Sequence, residues 1–292
     1  MKVLVVDDDK LARKGLISIM DWGKYGFEVV GDVQNGRKAL EFLKDNEVDI
    51  VFTDIDMPEI DGIELMKRCK KEYEKGNDVV VVLSAMGDVT DQLIDKAKEI
   101  NEAPSEREMD MLFTIGEQMS VALMAMALEG LGVPAVSLNA FQAKIHTTSV
   151  HGDAKITHIE TERIREELAQ KKIVIVTGFQ GINENDDYTT LGRGGSDTTA
   201  VALAAALQAD ACEIYTDVDG VYTADPRKVP TAKKLDEISY DDMLHMALNG
   251  AQVLHSRCVE MAKKFEIPLV VRSSMNEREG TVVREKTFCP CR

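Results

Sequence analysis

Short, fully apolar runs alternate with helical patterns in the first part of the chain, which is typical of buried parallel strands in an α/β protein. The runs predict strands over residues 2–6, 27–31 and 49–53, and the segments between them predict helices over 10–20 and 36–44. This βαβαβ order implies a parallel sheet with right-handed crossovers. Three such strands bury too little apolar surface for us to expect an independent domain.

The hydrophobic pattern of the remaining chain alternates in the same way. It predicts strands over 79–83, 173–177 and 267–271, and helices over 67–75, 107–131, 160–170, 239–249 and 256–265. The helix over 107–131 carries five methionines. We interpret them as core packing, because Met fills irregular gaps in protein interiors.

Composition narrows the range of functions. The 292 residues correspond to about two domains, and the net charge of -16 argues against a nucleic-acid or anionic-membrane surface. No apolar run approaches the ~20 residues of a membrane span. The five cysteines are scattered and odd in number, which favours a cytoplasmic location. The five histidines show no zinc-ligand spacing, and we expect His146 and His151 in a polar loop.

Two segments of the second half carry the chemistry. Residues 191–200 (Leu-Gly-Arg-Gly-Gly-Ser-Asp-Thr-Thr-Ala) place Arg193 and a glycine pair at the start of an alanine-rich helical pattern. Amides at a helix start attract anions, and glycine lets a ligand approach the main chain. Residues 215–227 are a short strand that leads into a loop with Asp217 and Tyr222. Together they predict a site for a carboxylate substrate beside a nucleotide.

These residues resemble the amino-acid kinase family, and within it the aspartate kinases. The resemblance continues through residues 79–90, 111–118, 178–181 and 268–274, and it spans about residues 67–283. It implies a three-layer α/β/α fold and phosphoryl transfer from ATP to the side-chain carboxylate of L-aspartate. In the family this reaction is the first step of lysine, threonine and methionine biosynthesis. The resemblance leaves a homodimer open.

The resemblance also implies a substrate pocket. Arg193 would pair with the α-carboxylate of L-aspartate and Glu117 with its ammonium group. Asp197 and Ser196 would be the catalytic residues, with Asp197 orienting groups near the transferred phosphate. The pocket would be completed by Ser84, Thr90, Gly194, Gly195 and Ser196. Three structural alternatives remain: an exposed helix residue at Glu117, helix caps at Ser196 and Asp197, and a surface ion pair at Arg193.

The nucleotide site follows from the same resemblance. ATP would lie along Thr216, Asp217, Tyr222, Asp225, Arg227 and Lys228. Mg²⁺ would bridge the phosphates, since this ion is held largely by the nucleotide and by water. Family members open with a strand that ends in a Lys-aromatic-Gly-Gly-Thr/Ser loop, whose lysine and amides hold the phosphates. That motif does not occur in the 292 residues, so we expect impaired turnover.

The first 66 residues instead resemble a response-regulator receiver domain, which is flavodoxin-like, through residues 3–9 and 49–62. This resemblance implies a metal-binding pair at Asp7 and Asp8 and a phosphoacceptor at Asp54. A receiver also needs a Ser/Thr on its fourth strand, which Ser84 could imitate, and a lysine at the end of its fifth strand. No Lys-Pro pair follows to supply that lysine.

The two resemblances make the chain look chimeric. They predict a partial receiver-like segment over 1–66, a kinase domain over 67–283, and a tail over 284–292 without regulatory domains. The leading hypothesis is an aspartate kinase. The alternatives are a receiver phosphorylated on Asp54 and a catalytically inactive chimera.

Overall fold

The computed structural model describes residues 2–6, 14, 17, 28–33, 38, 42, 46, 50–53, 60–226, 228–251, 253–274, 276 and 278–285. The chain divides into two compact units, Met1–Leu65 and Met66–Arg292.

The first unit contains a parallel sheet of three strands, which are β1 (Lys2–Val6), β2 (Glu28–Val33) and β3 (Ile50–Thr53). Their order is β2-β1-β3, so the predicted parallel βαβαβ arrangement is confirmed for the strands. Val3 and Leu4 of the central strand are fully buried. Most of the two predicted helices lies outside the described residues. The residues described within them are helical: Lys14, Ile17, Lys38 and Phe42.

The other described elements follow in chain order. They are α1 (Ile60–Glu74), β4 (Val80–Leu83), α2 (Val89–Ile100), α3 (Glu106–Gly130), β5 (Ala135–Leu138), β6 (Ile145–Thr147), β7 (Ile156–Ile159), α4 (Glu162–Ala169), β8 (Ile173–Thr177), β9 (Gln180–Ile182), β10 (Tyr188–Thr190), α5 (Gly195–Leu207), β11 (Cys212–Thr216), β12 (Glu237–Ile238), α6 (Tyr240–Leu248), α7 (Ser256–Phe265), β13 (Leu269–Ser273) and β14 (Thr281–Val283).

Three sheets organise the second unit. A parallel sheet has the order β4-β8-β5, and a mixed sheet has the order β11-β13-β14-β12. A smaller sheet, β10-β9-β6-β7, is mostly antiparallel and has β7 at its edge. His146 lies on β6 of this smaller sheet, so its predicted place in a polar loop is wrong.

Every residue of strand β8 is buried, so both faces of the strand are covered. Val174 and Val176 pack with Ile164 of α4 and Leu203 of α5. Successive side chains of a strand point to opposite faces, so the fully buried Ile173 and Ile175 belong to the other face. Helix α3 packs against β5 and β8. This layering supports the predicted α/β/α arrangement around the sheet β4-β8-β5.

Helix α3 is apolar and long enough to cross a membrane by length and composition alone. It also carries the buried polar residues Asp110 and Glu117 and packs on the parallel sheet, as a core helix does. The interpretation of its methionines as core packing is wrong in part. Met124 is buried, whereas three others, Met111, Met119 and Met126, are exposed. Helix α3 is apolar on more than one side, and only some of its apolar residues lie on the side that packs against the sheet.

Candidate active site

The carboxyl ends of β4 and β8 meet at one edge of the parallel sheet. The Gly178 amide donates a hydrogen bond to the Leu83 carbonyl oxygen at 2.8 Å. Ser84 follows β4 directly and is exposed, and Thr90 is half-buried in the first turn of α2. In open α/β sheets, ligands bind in the crevice outside the carboxyl ends of the strands. The predicted pocket residues Ser84 and Thr90 therefore lie where a ligand is expected.

The start of α5 packs tightly on the turn that follows β8. A Cβ atom added at Gly178 would lie 2.6 Å from Ser196 Oγ, and one added at Gly195 would lie 2.7 Å from the Phe179 ring. Gly194 has a φ of +68°, a left-handed conformation that favours glycine. The glycines therefore let the two backbones approach each other, and this approach brings Ser196 beside the strand ends.

The amino terminus of α5 is free of a side-chain cap. Gly194 occupies the N-cap position, and no side chain there accepts a hydrogen bond from the first turn. The first amides of a helix then lack an intrahelical partner and favour an anion. Ser196 and Asp197 lie inside this first turn, so the alternative that they serve only as helix caps is not supported. Burial raises the pKa of the Asp197 carboxyl, and the electrostatic influence of His255 opposes the shift.

Glu117 is a buried carboxylate on α3, with 2% of its surface exposed. The alternative of an exposed helix residue is therefore wrong. Its Oε2 lies 3.5 Å from Nε2 of Gln180, which donates to it. Burial raises the pKa of the Glu117 carboxyl, and hydrogen bonds from the backbone and from Gln180 oppose the rise. None of these partners is a cation, so a cationic ligand group would stabilise the charged form.

Two buried polar atoms of the segment 177–180 lack partners. Thr177 Oγ1 and Gln180 Oε1 are buried and have no hydrogen-bond partner among the described residues. A buried polar group without a partner is uncommon in a native protein and often marks a functional site. Sequence reasoning assigned no role to either residue. Gln180 lies in the turn over 178–181, which is part of the family resemblance, and this motif is the sequence feature that could have identified it as a site residue.

Arg193 is exposed in the loop between β10 and α5. Within the described part of the chain, no hydrogen bond or ion pair joins its guanidinium to another residue, so the alternative of a surface ion pair is not supported. Asp110, which the sequence analysis missed, anchors the preceding strand. Its Oδ1 accepts a hydrogen bond from Thr190 Oγ1 at 2.5 Å, and its Oδ2 lies 2.9 Å from His151 Nδ1.

The predicted nucleotide residues follow β11 in one loop. The Thr216 hydroxyl donates to Asp217 Oδ1 at 3.0 Å, and the Thr216 carbonyl accepts from the Ser274 amide at 2.9 Å. The Tyr222 hydroxyl donates to Asp219 at 2.8 Å, which lowers the pKa of Asp219. The next turn is closed by the Asp225 carbonyl, which accepts from the Lys228 amide at 3.0 Å. Arg227 lies outside the described residues, as do Asp7, Asp8 and Asp54.

A cavity of about 420 Å³ lies elsewhere in the second unit, beside β5 and α4. The described residues that line it include Lys144, Glu160 and Arg163 and none of the residues predicted from the sequence. Because it contains none of the predicted site residues, the candidate active site remains at the strand ends.

A family model described as the amino acid kinase family matches residues 60–273. The chain belongs to the amino acid kinase family. A second model, the response regulator receiver domain, matches residues 3–101 and overlaps the first over 60–101. Both resemblances recognised in the sequence are thereby confirmed.

Known aspartokinases are similar to this chain. It is 60% identical over 219 residues to an aspartokinase of Geobacillus stearothermophilus, and the alignment covers 75% of this chain and 54% of the relative. The aspartate kinase structure from Synechocystis matches with a TM-score of 0.69 and 48% identity, over 80% of this chain and 38% of that one. E. coli aspartokinase III in complex with aspartate and ADP matches with a TM-score of 0.59 and 27% identity, over 99% of this chain and 66% of that one. The predicted amino-acid kinase fold is confirmed, and the chain spans about half the length of the curated relatives it matches.

Proposed function

We propose that the protein is an aspartate kinase, which transfers the γ-phosphoryl group of ATP to the side-chain carboxylate of L-aspartate. The observation that carries the proposal is the buried carboxylate of Glu117, which has no cationic partner among the described residues and accepts a hydrogen bond from Gln180, whose own Oε1 is unsatisfied. Such a set of acceptors suits the ammonium group of an amino acid. The 60% identity to an aspartokinase supports the same substrate.

Arg193 would bind the α-carboxylate, because its planar fork matches a carboxylate with two parallel hydrogen bonds. With both α-groups held, the side-chain carboxylate of L-aspartate points at the nucleotide. One of its oxygens forms a bond to the γ-phosphorus while the bond from that phosphorus to the ADP oxygen breaks. The products are ADP and 4-phospho-L-aspartate. The protein contributes alignment and charge neutralisation and forms no covalent bond to the substrate.

The nucleotide would extend from the uncapped start of α5 to the loop after β11. The first turn has no side-chain cap, and its amides suit phosphate oxygens. Thr216, Tyr222 and Asp225 are half-buried in that loop, and Asp217 and Lys228 are exposed. Mg²⁺ would be held chiefly by phosphate oxygens and water, with Asp197 in the first turn of α5 as a candidate carboxylate, and it would neutralise phosphate charge.

A coupled assay of ADP release tests the proposal. ADP should form at millimolar L-aspartate, and hydroxylamine should trap the acyl phosphate product as a hydroxamate. L-Asparagine is the matched control, because it keeps both α-groups and lacks the attacking carboxylate. Glu117→Gln should raise the KM for L-aspartate at least about tenfold, since a charged partner of the ammonium group is lost. ADP release that is independent of L-aspartate would contradict the proposal.

Signalling through a phosphorylated Asp54 is the alternative function, and it is not favoured. The match to the receiver family supports a receiver-like segment. The lysine that a receiver requires is missing from the pattern, and the similarity to aspartokinases at up to 60% identity favours the kinase. A role in lysine biosynthesis and a cytoplasmic location belong to the proposed kinase function. Free cysteines at positions 69, 212 and 258 are compatible with a reducing compartment.

We also propose a homodimer that forms through α3. The outward stripe of this helix consists of large apolar side chains that are 38–65% exposed, at Met111, Ile115, Met119, Leu123 and Met126. They recur mainly every four residues, which forms a continuous ridge along a helix. A ridge of this kind can pack against its own copy across a two-fold axis, since the same patch then serves both subunits.

Charge reversal in the middle of the stripe tests the dimer. Ile115→Glu should shift the protein from dimer to monomer in analytical ultracentrifugation, because two carboxylates would meet in an apolar interface. Leu248→Glu is the matched control, since Leu248 is also exposed but lies on α6. A monomeric parent protein at 100 µM, or a dimer unaffected by Ile115→Glu, would refute this assembly.

A further inference from the structure

Two histidines face each other across the edge of the smaller sheet. His146 on β6 and His158 on β7 are partners in the antiparallel register. Their imidazole rings are stacked, with centroids 4.2 Å apart and planes inclined by 5°. Strand β7 is the edge strand, and His158 is exposed, so this pair is accessible from solvent.

A carboxylate completes the group. Glu160 follows β7, and its Oε1 lies 2.8 Å from Nε2 of His146. The Glu160 backbone is held in place because its amide donates to the Lys144 carbonyl at 3.2 Å. One ligand atom from each of His146, His158 and Glu160 lies within 4.8 Å of the other two. The two imidazoles and the carboxylate therefore lie together at the edge of the sheet, and the His158 ring has to turn out of the stack for both imidazoles to face one ion.

We propose that His146, His158 and Glu160 bind a divalent transition-metal ion, with Zn²⁺ as the ion they suit best. Zn²⁺ takes imidazole nitrogen and carboxylate oxygen at about 2.0–2.2 Å, and sites with three protein ligands keep a fourth position for water. Those bond lengths require ligand atoms about 3.3 Å apart in a tetrahedron. Rotation of the exposed His158 and Glu160 side chains can shorten the present separations of up to 4.8 Å to this distance. Magnesium prefers oxygen ligands and is not expected here.

The residues around the three side chains are compatible with a metal site on β6 and β7. The carboxylate of Glu160 would exchange its hydrogen bond to His146 for a bond to the metal, so both groups stay satisfied. His158 Nδ1 lies 3.4 Å from the Thr157 hydroxyl, which can accept a hydrogen bond from Nδ1–H and so leave Nε2 free as a ligand. Beneath the pair, Ile145 and Thr147 are buried and hold β6 in the sheet. The site uses none of the residues assigned to the kinase reaction, so it is independent of the proposed function.

Calorimetric titration of the full chain with ZnCl₂, after removal of bound metal with EDTA, tests the site. We expect one ion per chain. His158→Ala and His146→Ala should each weaken binding at least about tenfold, as the loss of one ligand does. His245→Ala is the matched control, because His245 is exposed on α6 and should leave the affinity unchanged. Circular dichroism before the titration shows that each variant is folded.

Cobalt provides a second measurement that is independent of affinity. Co²⁺ bound by these ligands should give an intense visible absorption band of four-coordinate geometry, and Glu160→Gln should weaken it. No Zn²⁺ binding below 100 µM by the parent chain would overturn the proposal. Unchanged affinity in His158→Ala together with a loss in the Cys289→Ser/Cys291→Ser double variant would also overturn it, because the tail thiols would then be the ligands.

Discussion

Replacing Arg193 by alanine should abolish L-aspartate binding in calorimetry. The guanidinium is exposed and has no partner within the described residues, so it is available to a substrate carboxylate. Removing it eliminates two charge-assisted hydrogen bonds and leaves the α-carboxylate unpaired, which typically costs about 1–3 kcal/mol or more for a charged group. An increase in Kd of about fivefold to more than a hundredfold follows from that cost.

Two variants sharpen the Arg193 experiment. Arg193→Lys keeps the positive charge and loses the fork, so it should bind L-aspartate more weakly than the parent chain and more strongly than Arg193→Ala. Arg284→Ala removes an exposed arginine whose partner is Glu237 on β12, and it should leave binding unchanged. Equal affinity of Arg193→Ala and the parent chain would show that another group holds the carboxylate.

Restoring a phosphate-binding loop should raise turnover at least about a hundredfold, because the loss of one preorganised donor to a reacting anion costs about 10²–10³ in rate. The 292 residues lack the Lys-aromatic-Gly-Gly-Thr/Ser loop of the family, and residues 54–59 include Asp54, Asp56 and Glu59. The change is a replacement of residues 1–66 by the corresponding segment of the Geobacillus stearothermophilus relative. The measurement is kcat for L-aspartate-dependent ADP release.

The matched control for this exchange carries alanine in place of the lysine of the introduced loop. It should fold like the exchanged protein and return to the low turnover of the parent chain, while L-aspartate binding stays unchanged in both. If the parent chain already turns over at the rate of the relative, or the lysine makes no difference, the missing loop does not limit the reaction.

Long, regular elements could be predicted from the sequence. The predicted strand over 173–177 coincides with β8, and the helix over 256–265 coincides with α7. The first is a continuous apolar run and the second follows the helical period, and both are bounded by turns. Helix α2 was missed because it has no buried residue, so its apolar positions do not mark a core-facing stripe. The three-residue strands β6, β9 and β10 were missed because runs this short show no period, and they are stabilised by pairing with distant strands.

The candidate site also has features that could be predicted from the sequence and features that could not. Glu117, Arg193 and Ser196 could be proposed from the sequence, since they lie in motifs whose residues are close together along the chain. The burial of Glu117 and the unsatisfied oxygens of Thr177 and Gln180 could not, because burial depends on which elements pack together. The outward stripe of α3 could not be predicted for the same reason, because the neighbours of an apolar helix decide which of its sides is covered.

The α/β class, the family and the glycine-rich start of α5 could be read from the sequence alone. These depend on local periodicity and on short motifs, which are written in consecutive residues. The spacing of His146, His158 and Glu160 along the chain matches no zinc-ligand pattern, so their proximity is visible only in the tertiary structure. The antiparallel register of β6 and β7 places residues 146 and 158 opposite each other. Strand register is set by non-local pairing, so a metal site built across strands has no signature in the spacing of its ligands.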